Sequence, residues 1–238
     1  MLEPPSITVR GLSKQFSHQA PLVLDGVDLD VATGEFITLL GASGCGKSTL
    51  LNLIAGLESP TTGTIAAPRA AFMFQDPSLF PWLSAQGNVE LALELRGVPR
   101  AQRGSEAARL LDVVHLADAA RKKPHELSGG MRQRVALARS LAQDRDVLLM
   151  DEPFAALDAI TRDLLHDELL RVWRQTGRTI VFITHNVREA VLLGQRVLLM
   201  SSRPGRVVGE WSTAGRDAVA LTASITAELR KEIRRHAA

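Results

Sequence analysis

Cysteine is nearly absent: Cys45 is the one thiol in 238 residues. That excludes an internal disulfide framework and any all-cysteine metal site. Long hydrophobic runs are absent too. The longest, at 36–40, 147–150 and 180–183, are strand-sized, and Thr38 interrupts the first. A membrane-spanning helix needs ~20 apolar residues, so the chain is expected to cross no bilayer alone. No sign of charge dominates: 28 Lys and Arg face 26 Asp and Glu, a formal net charge of +2. Spread over this length, that is no electrostatic footprint for nucleic acid. The start, MLEPPSITVR, has neither a basic cluster nor an apolar stretch, so no signal peptide and a cytoplasmic location are expected. Tyrosine is missing altogether. What is present is ordinary for a globular chain, 45% hydrophobic and 23% charged, which excludes disorder and fibrous folds.

Short β-branched or apolar runs at 7–9, 27–31, 36–40, 71–74, 147–150, 179–183, 196–200 and 207–209 read as strands. Several are apolar at every position, as in a parallel sheet covered on both faces. Helical patterns at 48–57, 105–116, 130–143, 160–175 and 186–193 alternate with them, which predicts an α/β fold. The stretch 84–124 breaks the alternation with two amphipathic, basic helical patterns and no strand. It reads as a helical lobe inserted into the core, with a pair of plain crossover helices as the alternative. The expected organisation is one domain. Residues 1–83 and 135–212 form the α/β core, 84–134 a helical subdomain, and 213–238 a helical tail whose last turns carry Arg230, Lys231, Arg234 and Arg235.

The strongest local signal is Gly41-Ala42-Ser43-Gly44-Cys45-Gly46-Lys47-Ser48-Thr49. It fits G-x-x-x-x-G-K-[ST], the phosphate-binding P-loop, and lies between a buried strand and a helix as that loop requires. Glycines let successive N–H groups point at one anion, and the helix adds its positive end. Lys47 can reach β- and γ-phosphates, and the Ser48 hydroxyl can ligate Mg²⁺. With no second cysteine to resolve an oxidised thiol, Cys45 reads as a small residue in a crowded loop.

A second apolar run, 147–150, ends in Asp151 and Glu152. Asp151 at a strand's carboxyl end beside a P-loop can hold Mg²⁺, and Glu152 can act as general base on water. Ser128-Gly129-Gly130 stands before a long helical pattern and offers a hydroxyl and free N–H groups, a second candidate anion site.

Together these residues resemble the ATP-binding cassette (ABC) ATPases. Leu127 to Arg134 (LSGGMRQR) is similar to their signature motif, Gln75 to the Q-loop glutamine, Ala155-Ala156-Leu157-Asp158 to the D-loop, and His185 to the switch histidine. The motifs occur in the family's order, and the resemblance spans nearly the whole chain. It implies a RecA-like P-loop NTPase core with an antiparallel β subdomain and an inserted α-helical subdomain. It implies ATP and Mg²⁺ as ligands, with Ser48, Gln75 and Asp151 toward the metal and Gln75, Asp151, Glu152 and His185 in hydrolysis. It also implies a head-to-tail homodimer that sandwiches two ATP molecules between one chain's P-loop and the other's Ser128-Gly129-Gly130. Three departures stand out. Met131 replaces the usual Gln, Asn186 follows His185 where Asp is commoner, and adenine stacking, with no tyrosine available, falls to Phe16.

Within the family, GASGCG, LFPW after Gln75, DEPFAALDAITR and SSRPGR resemble the nitrate, sulfonate and taurine importer branch. LLNLIAGL and RPGRV lie nearest its taurine members. The resemblance implies a peripheral subunit on the cytoplasmic face of the cell membrane, working with two transmembrane permease subunits and a substrate-binding protein. It implies uptake of taurine, with alkanesulfonate or nitrate as alternatives and a soluble non-transport ABC ATPase as the competing class. No regulatory domain of the sugar-importer type, ~100 residues more, is expected. The apolar tip Leu79-Phe80-Pro81-Trp82, stiffened by Pro77 and Pro81, either sockets a permease helix or packs under the lobe.

Overall fold

The computed structural model describes residues 5–17 and 19–237. Two sheets organise it. In the larger, β3 (Phe36–Leu40) is flanked by β7 (Thr179–Ile183) and β8 (Arg196–Met200), followed outward by β6 (Val147–Asp151) and β5 (Ala70–Met73) on one side and β9 (Val207–Ser212) on the other. All pairs are parallel except β8 with β9. The smaller sheet is antiparallel, β2 (Leu24–Val31), β1 (Ile7–Lys14) and β4 (Thr62–Ala66).

Strands β3, β6 and β7 are buried at every position. Alternation divides each between two cores. Phe36, Leu148, Met150 and Phe182 face one, while Ile37, Leu39, Leu149 and Val181 face the other with β1, β2 and α1 (Lys47–Ile54). On the first face Phe36 meets Trp173 edge-on at 5.7 Å and Phe182 at 6.0 Å. Burying each such ring stabilises the fold by about 1.5–3 kcal/mol.

The same face carries the helices between β5 and β6: α2 (Ala85–Leu95), α3 (Arg100–Val113) and α4 (Gly129–Ala142). Helix α4 runs unbroken through 134–135, so one rigid element joins lobe to sheet. Helices α5 (Ala159–Thr176) and α6 (Val187–Leu193) complete the crossovers. Helix α7 (Ala218–Ala237) starts earlier than the 222 read from sequence, and Leu221 and Ile225 are buried against α6 and β8. The tail helix therefore docks through Leu221, Ile225 and the partly buried Leu229, and its basic residues follow that contact. Among the described residues, no helix is long and apolar enough to cross a membrane.

Strand β4 escaped the sequence reading because it lies at a sheet edge, almost wholly exposed, with no apolar alternation. Strand β1 runs beyond the expected 7–9 through two register shifts that break its period. Helix α3 starts at Arg100 rather than 105, right after Pro99, a residue well suited to a helix start.

The loop after β8 returns to the P-loop. Gly205 accepts from Asp25 N and donates to Val23 O, and a Cβ there would come within 2.2 Å of the Cys45 carbonyl oxygen. Gly205→Ala therefore forces this strap off the P-loop. It should cost ~1–3 kcal/mol, the scale of overpacking, and weaken nucleotide binding. Thermal unfolding with and without ATP checks both; an unchanged melting temperature would contradict the contact.

Candidate functional site

The carboxyl ends of β3, β5, β6 and β7 converge on one cleft of about 770 Å³. Ser43, Gly44, Gly46, Lys47, Ser48 and Thr49 form its floor, and Gln75, Glu152 and His185 its far wall. Gly46 caps α1 with φ 100° and ψ 8°, and a Cβ there would meet Leu24 Cδ2 at 2.7 Å. Only glycine lets the backbone turn here without strain and without displacing Leu24.

Lys47 is buried, and its ammonium donates to Gly41 O at 2.9 Å and Ala42 O at 3.0 Å. Those partners are carbonyl dipoles of its own loop, an arrangement that a phosphate oxygen can replace. Cys45 is 1% exposed, and its sulfur lies close against Gly41, so its thiol forms no part of the cleft wall.

Asp151 is buried at the end of β6, and burial pushes its carboxyl above the usual range. A hydrogen bond with Ser48 and the charge of Lys47 pull the other way, while Glu152 adds to the rise. Glu152 follows with φ 46°, left-handed backbone for a residue that is not glycine. Such a conformation costs about 1–3 kcal/mol and turns the side chain out of the strand direction into the cleft. His185 Nδ1 lies 3.2 Å from Glu152 Oε2.

Ser128, Gly129 and Gly130 do not join this cleft. Ser128 caps α4, its hydroxyl accepting from Met131 N at 3.2 Å. Gly129 instead lines a second groove of about 600 Å³, with Gln75, Arg132, Gln133 and Ala156. Gln133 Nε2 donates to the Gln75 carbonyl at 2.7 Å, so the helix that follows Ser128 is bonded to the backbone at Gln75.

Phe16 is 59% exposed at the cleft mouth, with Lys14 Nζ 4.8 Å from its ring centre. Pro21, Leu22 and Val23 extend the apolar wall beside it. The sequence reading missed these three and Arg203, which lines the cleft and donates from Nε to Gly44 O at 3.1 Å. From sequence, the Ser201 to Arg206 stretch marks only the likeness to the importer branch. Its place over the P-loop comes from the chain's return after β8.

A parallel sheet running into a phosphate loop, with a carboxylate pair ending a nearby strand, defines a P-loop nucleoside triphosphatase. The family model described as ABC transporter matches residues 24–155, more than half the chain. The chain belongs to the ABC transporter family, among its ATP-binding, ATP-hydrolysing subunits. It is 48% identical over 197 residues to the taurine import ATP-binding protein TauB of Roseobacter denitrificans, covering 79% of this chain and 74% of that one. It is equally identical, 48% over 198 residues, to the nitrate import ATP-binding protein NrtD of a Synechocystis strain, again covering 79% and 74%. Among solved structures it resembles the dimeric ATP-binding cassette MJ0796 in a post-hydrolysis state with ADP and Pi. The TM-score is 0.81 at 31% identity, over 88% of this chain and all of that one.

The folded Asp151 binds its proton more tightly than the unfolded one. Between the two pKa values the native state holds more protons, so this group's contribution to stability falls as pH rises. Asp151→Asn should therefore raise the melting temperature of the nucleotide-free protein by a few degrees at pH 7. The gain should shrink toward pH 4, as the wild-type carboxyl protonates. Calorimetry across that range checks the sign; a destabilised variant would contradict it.

Proposed function

We propose that this chain powers an importer of taurine or a related small sulfonate. Two copies pair head to tail, and each of two ATP molecules lies between one chain's P-loop and the other's Ser128-Gly129-Gly130. The dimer serves two transmembrane permease subunits at the cytoplasmic face of the cell membrane, supplied by a substrate-binding protein. The observation that carries the two-chain reading is the separation of Ser128 from the P-loop cleft within one chain. The likeness to a dimeric cassette supports it. Taurine import relatives at 44–48% identity support the solute.

Phe16 and the Pro21-Leu22-Val23 wall take the base, while Gly41 to Thr49 cradle the phosphates. Lys47 leaves its loop carbonyls for them. Mg²⁺ fits the donors present: a hydroxyl at Ser48, a carboxylate at Asp151 and an amide oxygen at Gln75 are hard oxygen ligands, as this ion requires. Asp151, a carboxylate disfavoured by its own burial, gains most from a neighbouring cation. When bound, the ion neutralises charge on the phosphates. Glu152 takes the proton of the attacking water, and His185 holds Glu152 and the γ-phosphate in line.

Phe80 and Trp82 are 37% and 66% exposed, their rings 5.4 Å apart. The segment is braced from beneath: buried Asn88 accepts from Phe80 N at 2.8 Å, and Arg139 donates to Ser78 O at 2.8 Å and Pro77 O at 2.7 Å. A rigid, exposed aromatic tip beside an apolar groove of about 370 Å³ suits a permease helix.

Glu152→Gln should keep ATP affinity, lower turnover ~10²-fold or more, and trap an ATP-bound dimer on size exclusion. Near-normal hydrolysis would overturn the general-base role. Deleting the gene should abolish growth on taurine as sulfur source, as should Phe80→Asp with Trp82→Ser, which leaves ATP binding intact. The nitrate relative at the same identity favours nitrate as the second reading. Loss of nitrate-dependent growth with normal growth on taurine would select it.

A further inference from the structure

Behind His185 lies a group of buried polar side chains that the hydrolytic reading does not use. Glu189, on α6, is 7% exposed, His166, on α5, is 4% exposed, and Thr184, directly after β7, is 2% exposed. His166 Nε2 is 2.7 Å from Glu189 Oε1, and the Thr184 hydroxyl donates to Glu189 Oε2. The Thr184 oxygen in turn accepts from Asn186 N at 3.0 Å, closing the turn that carries His185. A buried carboxylate survives only when its oxygens are hydrogen-bonded, and here each has one donor from a different element.

The group reaches the site. A small cavity of about 20 Å³, room for one water, is lined by Glu152, Phe154, Thr184, His185, Asn186 and Glu189. Phe154, two residues after Glu152, packs against the His166 ring at 5.3 Å. Helix α5 begins at the Asp158 cap, directly after Ala155-Ala156-Leu157. One carboxylate therefore grips the His185 turn with one oxygen and the helix behind the D-loop with the other.

We propose that Glu189 is a positioning residue for hydrolysis, with His166 and Thr184 as its two anchors. It sets His185 against Glu152 and ties that setting to α5, so a shift of the D-loop segment reaches the histidine. The inference rests on the roles of Glu152 and His185 proposed above.

The full-length chain tests it through steady-state and single-turnover ATP hydrolysis. Glu189→Gln, which can no longer accept from both donors, should lower kcat about 10-fold or more and leave KM for ATP within ~2-fold. In a His185→Ala background the same substitution should change the rate less than ~2-fold, because its effect runs through His185. His166→Leu should match the Glu189→Gln loss, and His166→Gln, which restores an N–H donor, should recover most of it. Wild-type turnover in Glu189→Gln would overturn the proposal. So would an equal loss in the His185→Ala background, or a His166→Gln no better than His166→Leu. Should the Glu189 variants fail to fold, Thr184→Val removes one O–H and is read by the same criteria. If His185→Ala itself hydrolyses ATP at the wild-type rate, the role of His185 falls first, a result separate from failure of Glu189.

Discussion

Strands β3, β6 and β7 have no polar face, so each must be covered on both sides. The antiparallel sheet with α1 covers one side, and the helices between β5 and β7 cover the other. A backbone hidden that well can meet solvent only at its ends. The loops leaving the carboxyl ends therefore carry the chemistry, and the parallel pairing brings four of them to one rim. The P-loop, Gln75, Glu152 and His185 are spread from 41 to 185 along the sequence and share a cleft for that reason.

The charges at that rim are poised for a charged ligand. Lys47 rests on carbonyls rather than a carboxylate, and burial pushes the Asp151 carboxyl above its usual range. Each arrangement disfavours the ligand-free protein slightly and favours a polyanion with its counter-cation. The strained backbone of Glu152 belongs to the same pattern. The buried sheet beneath supplies the stability that such local costs draw upon.

Coupling between the site and its surroundings runs through backbone contacts more than through charge pairs. Gln133 holds the Gln75 carbonyl, Arg203 holds the Gly44 carbonyl, and Arg139 holds the carbonyls of Pro77 and Ser78. Each side chain comes from one element and fixes the main chain of another. Helix α4 thus holds the backbone at Gln75 and beneath the aromatic tip directly, through Gln133 and Arg139.

The sequence by itself determined the α/β alternation, the P-loop, the carboxylate pair after β6 and the histidine after β7. Those features are local: all-apolar runs, glycine spacing and short motifs depend on residues a few positions apart. Exposed edge strand β4 left no such period, and β1 hid its length behind bulges. Only the tertiary structure decided that Arg203 and Pro21 to Val23 line the cleft, that Ser128 stands outside it, and that Phe16 is exposed at its mouth. It alone brought His166 to Glu189, 23 residues away, beneath His185. Contacts of that kind depend on which buried faces pack together, and the packing of two cores around one sheet is a property of the whole chain rather than of any segment.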